Sequence, residues 1–143
     1  MNIGMNRKVK LFLSGLHSAT GEETAKLETR YDAEYYKRND SHYLFYEEQQ
    51  EGDEEKSKVR MKLKDSCMEL TRQGATKTVM VFEKNKRHMS RYITPYGEMM
   101  LGIDTKDICV EESEHTIKVM IAYVLEADGE YLSDCTMEIR IEA

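Results

Sequence analysis

RYITPYGEMMLGIDT, from Arg91 to Thr105, has the pattern of a strand, a tight turn and a second strand. Pro95 is the single proline of the chain, and its ring fixes φ near the value that the first corner of a turn requires. Thr94 precedes the proline and is therefore pushed toward an extended conformation, while Gly97 supplies a positive φ after the corner. The stretch predicts a β-hairpin, and it contains no catalytic signature.

Alternation of apolar and polar side chains recurs along the whole chain, whereas helical periodicity is scarce. Asp128-Gly129 is the clearest hairpin turn, and it follows a long predicted strand at Thr116–Glu126. A short, separate strand is predicted around Ile108–Val110. Strands joined by short turns in this way, about ten of them, are typical of an antiparallel barrel or sandwich.

The connections favour the barrel over the sandwich. Each predicted strand is followed by one that can pair with it, and closure of such an up-and-down sheet removes its exposed edges. The 143 residues suffice for one domain with a sizeable core. We therefore predict an all-β fold over residues 1–143, a single antiparallel up-and-down β-barrel of about 8–10 strands.

The net charge of -6 comes from one segment of the chain. Glu47–Glu55, EEQQEGDEE, holds six acidic residues and no basic one, and subtracting these six from 27 leaves 21 acids against 21 bases. The remainder is neutral, which predicts no broad basic face and hence no nucleic-acid partner. The acidic segment lacks the spacing of a calcium-binding loop and is predicted to be a solvated hairpin tip.

The cysteines and the apolar runs indicate the cellular compartment of the protein. Cys67, Cys109 and Cys135 are odd in number and widely spaced, which argues against a disulfide framework and for a reducing compartment. The N-terminus has no apolar signal region, and the run Val119–Leu125 is far shorter than a membrane span requires. These features predict a cytoplasmic protein without membrane contact.

Four stretches of the chain carry a resemblance to a known family. They are Leu70–Gly74, the Met80–Phe82 strand, RYITPYGEMMLGIDT and the final long hairpin IAYVLEADGEYLSDCTMEIRI. Together they resemble the YwiB-like family of uncharacterised small bacterial proteins. The resemblance implies a lipocalin-like (calycin) β-barrel in the bacterial cytoplasm, and it carries no established activity or catalytic residues.

Arg72 is the first candidate for a binding residue. It continues the inward parity of Met68 and Leu70, so a guanidinium falls where an apolar side chain is expected. Such a group in a barrel mouth can hold a carboxylate or phosphate in a bidentate manner. The alternative is a structural pair with an internal glutamate or with carbonyl oxygens at the strand end.

Tyrosines are the second candidates, since the chain has nine of them and no tryptophan. Tyr46, Tyr92 and Tyr96 are predicted to lie near the barrel mouth, where each ring would offer an apolar body and a polar tip to an amphipathic ligand. This function requires an enclosed cavity of at least about 300 Å³ into which Arg72 points. The alternative for these tyrosines is cross-strand core packing.

Catalytic and metal sites find little support in the sequence. The four histidines do not cluster and show no metal-ligand spacing, and no nucleophile elbow or glycine-rich phosphate loop is present. We predict no catalytic residue, no metal and no cofactor, and an enzyme is the least favoured class.

The predicted strand Thr116–Glu126 raises an alternative function. Met120, Ala122 and Val124 are apolar on the face opposite to the inward set, and a strand that is apolar on both faces is covered on both faces. Two covers fit this pattern: a terminal segment of the chain, or a second copy of the protein in a symmetric dimer. The sequence therefore leaves two hypotheses open: a barrel that binds a small amphipathic or acidic ligand, and an interaction or homodimerising module with a filled core.

Overall fold

The computed structural model describes residues 7–19, 22–23, 27–49 and 55–143, and within these ranges the chain forms strands joined by turns. The tip of the acidic segment, Gly52-Asp53, lies outside these ranges. The strands are β1 Arg7–Ala19, β2 Glu22–Glu23, β3 Leu27–Arg38, β4 Ser41–Glu48, β5 Ser57–Lys64, β6 Cys67–Gln73, β7 Lys77–Glu83, β8 Arg87–Thr94, β9 Gly97–Glu112, β10 Thr116–Ala127 and β11 Glu130–Glu142. No helix in the described part of the chain is long and apolar enough to cross a membrane.

Ten of these strands close into a barrel. β1 pairs with β3, and β3 to β11 then pair in chain order, each antiparallel to the next. The barrel closes where β11 pairs with β1, in an unbroken register from Lys10↔Glu142 to Ser18↔Asp134. The two-residue strand β2 pairs only with the end of β1. The predicted antiparallel up-and-down β-barrel is thus confirmed, whereas its specific likeness to lipocalins stays a prediction.

The turns follow the local chemistry of their residues. Asn39 and Asp40 have φ of 51° and 64°, and Asp128 and Gly129 have φ of 51° and 85°, as two-residue hairpin turns of type I′ require. At the Pro95 turn the Thr94 hydroxyl accepts a hydrogen bond from the Tyr96 N–H at 3.1 Å. The same hydroxyl donates to the carbonyl oxygen of Gly97 at 3.1 Å.

One predicted element boundary is wrong. Residues 108–110 do not form a separate strand, because β9 runs without interruption over 16 residues. The register of β9 against β10 shifts between Ala122 and Tyr123, so Lys106 is accommodated as an extra residue. A bulge of this kind changes the alternation phase within one strand, and the sequence pattern then looks like two strands.

The lower part of the barrel, the end at which the β3–β4 hairpin lies, is filled with side chains. Alternate residues of each strand point inward, and an apolar cluster forms from members of nearly every strand. Its side chains with 1% exposure or less are Leu11, Tyr35, Met61, Met68, Phe82, Ile103, Ile117, Val119, Ile121, Ile139 and Ile141. Burial of this surface is the main favourable contribution to folding. Polar inward residues gather toward the other end, which we call the mouth.

Candidate functional site

Arg72 lies in the mouth, on the inward face of β6, as the parity of Met68 and Leu70 predicts. Its side chain keeps 21% of its surface exposed. The guanidinium Nε donates to Glu48 Oε1 at 2.8 Å, and Nη1 lies 3.5 Å from the sulfur of Met80. The structural alternative, a pair with an internal glutamate, is therefore realised for one edge of the guanidinium. A thioether is a weak acceptor, so the other contact leaves donor capacity for an oxygen ligand.

The strand pairing places two of the three predicted tyrosines in one row with Arg72. Tyr46 pairs with Val59, Val59 with Arg72, Arg72 with Thr78, and Thr78 with Tyr92. Tyr46 is buried and Tyr92 is half-buried. The Tyr46 hydroxyl donates to Glu48 Oε2 at 3.5 Å, so Tyr46 and Arg72 share one carboxylate.

Tyr96 is not part of this group. Its side chain is 86% exposed at the tip of the β8–β9 turn, where the backbone carries it past the end of the barrel wall. A residue that the sequence analysis did not select takes its place: Tyr31, whose ring centroid lies 4.7 Å from that of Tyr46. Tyr31 stands on β3, and the β3–β4 hairpin brings its ring against that of Tyr46.

Electrostatics keep this cluster in one protonation state. Burial alone would lower the pKa of Arg72, but the hydrogen bond and the charge of Glu48 outweigh it, so the pKa of Arg72 is raised. Burial, followed by the charge of Glu48, raises the pKa of Tyr46 well above its ordinary value. Arg72 is therefore a permanent cation and Tyr46 a permanent neutral donor at neutral pH.

A second polar group lies deeper in the mouth. Tyr123 packs its ring edge-on against Phe82, with centroids 5.0 Å apart. The Cys135 sulfur lies 3.2 Å from the Ser133 hydroxyl oxygen. Burial raises the pKa of Cys135, so its thiol is neutral and unreactive, in agreement with the structural role that its position on the apolar face of the last strand predicts.

An open cleft of about 520 Å³ lies between β7 and β8, and Arg72 lines it. Backbone pairing between these two strands covers two residue pairs, Lys77 with Ile93 and Thr78 with Tyr92, whereas the other neighbouring long strands pair over at least five residues. The wall therefore opens beside Arg72. The lining residues are Thr71, Arg72, Gln73, Lys77, Thr78, Val79, Val81, His88, Met89, Ser90, Arg91 and Ile93.

Thr78 is the unusual residue of this cleft. Its side chain is 6% exposed, and its hydroxyl oxygen has no hydrogen-bond partner among the described residues. A buried hydroxyl without a partner costs roughly 1–3 kcal/mol of folding free energy, and such groups are rare in native proteins. The Thr105 hydroxyl on β9 is also buried without a hydrogen-bond partner among the described residues, but Thr105 does not line the cleft. Sequence reasoning missed Thr78, because a threonine on a strand carries no local signal of an absent partner.

A larger cleft of about 840 Å³ opens where β3 parts from β4. The pairing of these strands ends at Glu34↔Phe45, and the floor beyond it is apolar. The lining residues are Lys8, Val9, Lys10, Arg30, Tyr31, Asp32, Ala33, Glu34, Phe45, Tyr46, Glu47, Lys58 and Val59. Both clefts are open grooves in the barrel wall, so neither is the enclosed cavity that the ligand-binding prediction requires; of the two, the smaller is lined by Arg72.

A chain of three hydrogen-bonding groups lies at the opposite end of the barrel. The Tyr35 hydroxyl is 2.5 Å from His42 Nδ1, and His42 Nε2 is 2.5 Å from Glu112 Oε1. Because a carboxylate only accepts, the proton of the neutral imidazole resides on Nε2, and Tyr35 donates to Nδ1. Tyr35 has 0% exposure, so no substrate reaches its hydroxyl. The three residues are separated in sequence, and only the fold reveals the arrangement.

This arrangement predicts loss of stability in mild acid. Burial lowers the pKa of His42, against the opposing charge and hydrogen bond of Glu112. Above the unfolded pKa of about 6.5 the contribution of neutral His42 is fully present, and it is lost as the pH falls below that value, because the unfolded chain then binds the proton more readily. Urea midpoints at pH 7.5 and 5.5 measure the effect. In His42→Gln the fall should be shallower, and an equal fall in both proteins would contradict the assignment.

The fold and the site together define a small antiparallel β-barrel with a charged, tyrosine-lined mouth. The family model "Domain of unknown function (DUF1934)" matches residues 13–139, and the chain belongs to this family. The crystal structure of the ywiB protein from Bacillus subtilis is similar over 96% of this chain and 92% of that chain, with a TM-score of 0.85 and 24% identity. At this identity the likeness shows a shared fold. Among curated proteins, no sequence matches the chain. The resemblance to the YwiB-like family is thereby confirmed.

Proposed function

We propose that this protein binds a small amphipathic anion in the β7–β8 cleft, with the acidic group of the ligand at Arg72. The observation that carries the proposal is the buried Thr78 hydroxyl, which lacks a partner and lines the cleft in the same cross-strand row as Arg72. The hydroxyl is shielded from solvent, so a ligand oxygen would accept from it when the sparsely paired β7–β8 wall opens locally, and this contact would remove the cost of its burial.

The lining of the cleft has the two properties that such a ligand needs. Among its described residues are the basic or titratable side chains Arg72, Lys77, His88 and Arg91, and no acidic one. Its apolar residues are Val79, Val81, Met89 and Ile93. The ligand would place its carboxylate inward and its apolar part along the splayed strands.

Glu48 sets the charge that the site accepts. Its carboxylate already balances the positive charge of Arg72 at 2.8 Å, so the inner end of the site is close to neutral. A singly charged group such as a carboxylate meets less repulsion from Glu48 than a doubly charged phosphate does. Tyr46 holds Glu48 from the other side and acts as a positioning residue. We assign Tyr92 to the mouth of the site and leave Tyr96 out of it.

A non-enzymatic role in the cytoplasm is part of the proposal. The hydroxyl–imidazole–carboxylate chain of Tyr35, His42 and Glu112 lies at the sealed end of the barrel, remote from the β7–β8 cleft, which favours a structural role for it. Cys67, Cys109 and Cys135 are all free thiols, as expected for a reducing compartment.

A pair of matched variants tests the ligand. Thr78→Val and Thr105→Val each replace a buried, unpartnered hydroxyl with a methyl group, so neither should lower the free energy of unfolding. Dodecanoate is the probe, with dodecanol as the uncharged control, and native mass spectrometry and calorimetry are the measurements. Thr78→Val should weaken dodecanoate binding by about fivefold or more, the value of one hydrogen bond, whereas Thr105→Val should not. Equal affinities in the two variants would refute the site.

The second candidate function is an interaction surface on the outer face of β10. Met120 is 43% exposed there, and Ala122 and Val124 are half-buried. Acidic residues pair across from this stripe on both sides, at Asp104 and Asp107 on β9 and at Asp134 and Glu138 on β11. Lys106 and Lys84 form ion pairs with Asp104 and Asp107, but the four acids outnumber these two lysines, which favours a basic partner over a second copy. Native mass spectrometry tests this preference, since a ligand-free dimer would show that a second copy covers the stripe instead.

A further inference from the structure

Four basic residues form a single row on the outer face of β5. Lys58, Arg60, Lys62 and Lys64 alternate with inward Val59, Met61 and Leu63, so all four cations point away from the core, spaced by about 6–7 Å along the strand. The neighbouring strands place two acids beside the row. Glu69 is an ion-pair partner of Arg60 at 3.6 Å, and Glu47 is paired across from Lys58. Glu69 also pairs across from Lys62, and Asp65 and Glu83 line a cleft together with Lys62 and Lys64, so acidic groups accompany the row along its length.

A ladder of aromatic rings runs beside this row. Tyr36 stacks on Tyr43 with centroids 4.9 Å apart and planes at 13°, and on Phe45 with centroids 5.6 Å apart and planes at 15°. The ammonium group of Lys62 lies 5.8 Å from the Tyr43 ring centroid and covers that end of the ladder. Phe45 forms the other end. All three rings are half-buried on the outer surface, where a packed core does not require aromatic residues.

Phe45 also lines a third cleft, of about 290 Å³. The other lining residues are Lys58, Val59, Arg60, Thr71 and Gln73, and no acidic side chain is among them. An aromatic ring, two cations, a hydroxyl and an amide in one cleft form the donor set that stacks on a base, neutralises a phosphate and hydrogen-bonds to a base edge.

We propose that the outer face of β4 and β5 binds single-stranded nucleic acid, with one base stacked on Phe45 and the phosphates along the basic row. The row continues beyond the cleft to Lys62 and Lys64, which favours a strand over a single nucleotide. Single-stranded ligands suit the site because their bases are free to stack, whereas bases in a duplex are not.

The net charge of the chain predicts no nucleic-acid partner. The fold explains why a basic surface exists despite that charge. Outside the acidic segment the chain is neutral in sum, but period-2 alternation sends every second residue of β5 to one face, and these are all basic. Attraction of a polyanion depends on the local field of such a patch as well as on net charge. The site adjoins the proposed β7–β8 ligand cleft, since Thr71 and Gln73 line both, but neither Phe45 nor Lys62 lines the ligand cleft, so variants at these two residues test this site alone.

Fluorescence anisotropy with a labelled single-stranded oligothymidylate of twelve nucleotides tests the proposal on the full-length protein. A plot of the logarithm of the native protein's binding constant against the logarithm of the salt concentration should have a slope of about −2 to −3, as expected for three to four phosphate contacts. Lys62→Ala/Lys64→Ala leaves one to two of these contacts and should bring the slope to about −0.7 to −1.4. The control Lys84→Ala/Lys86→Ala removes the same charge from the β7–β8 turn and should retain the native slope.

Stacking is tested separately from charge. Phe45→Leu should weaken binding by about fivefold or more with an unchanged salt slope, while Tyr131→Leu, at an exposed ring on β11, should have no effect. A native protein that does not bind the strand at 50 mM salt overturns the proposal. The same conclusion follows if the two double lysine variants weaken binding equally, or if Phe45→Leu binds as well as Tyr131→Leu.

Discussion

Gly74→Ala is expected to lower the free energy of unfolding by about 3 kcal/mol or more. Gly74 follows β6 with φ of 149°, a conformation that side-chain-bearing residues rarely adopt. A Cβ atom at this position would also lie 2.4 Å from the carbonyl oxygen of Lys56 and 2.7 Å from Cα of Ser57. Both atoms belong to backbone that leads into β5, so neither can move without disturbing the β5–β6 pairing. Urea-induced unfolding followed by circular dichroism measures the loss.

Gly97→Ala is the matched control for this prediction. Gly97 has φ of 143°, close to that of Gly74, but no atom lies within 4 Å of a Cβ built there. It therefore carries the conformational cost without the clash, about 1–2 kcal/mol. If both substitutions destabilise the protein equally, the close approach of Gly74 to Lys56 is not the reason for the glycine.

Arg72→Met is expected to destabilise the protein by about 2–3 kcal/mol. The substitution keeps most of the side-chain volume but leaves the Glu48 carboxylate, whose side chain is 16% exposed, without its cationic partner. Removal of one partner from a buried pair costs roughly 3–5 kcal/mol, and the remaining exposure of both groups reduces that figure. Denaturation midpoints at pH 7.5 provide the measurement.

The double variant Arg72→Met/Glu48→Gln separates the structural role of Arg72 from its role in binding. It removes both charges, so much of the lost stability should return. Dodecanoate binding should remain lost, because the guanidinium is absent. Recovery of stability together with binding would show that Arg72 serves only to balance Glu48. No recovery of stability would show that Arg72 supports the fold through contacts other than the Glu48 ion pair.

Prediction of the fold from sequence succeeded where the signal was local. Turn residues such as Asp128-Gly129 determine hairpin geometry from their own conformational preferences, and the sequence predicts this turn at the position where the structure has it. Prediction failed at residues 108–110, because the bulge in β9 depends on how β10 pairs beside it. A bulge is a property of two strands, and a single-strand pattern does not contain it.

The candidate site was predictable in part for the same reason. Strand parity alone places Arg72 inward, and it does so correctly. Its partner Glu48 lies 24 residues away in a segment whose composition predicts a solvated loop, so no local pattern connects the two. Thr78 and Tyr31 were missed, since the absence of a hydrogen-bond partner and a ring contact across strands exist only in three dimensions.

The sequence by itself determined the strands, most of the turns and the inward face of each strand, because side-chain alternation and turn preferences act over a few residues. Only the tertiary structure decided where the barrel wall opens, which charge faces which, and which rings stack. These features depend on the register between strands distant in the chain, and closure of β11 onto β1 sets that register for the whole barrel. The clefts and the Arg72–Glu48 pair follow from this register, whereas the basic row comes from side-chain alternation in β5 and its aromatic ladder from the β3–β4 hairpin.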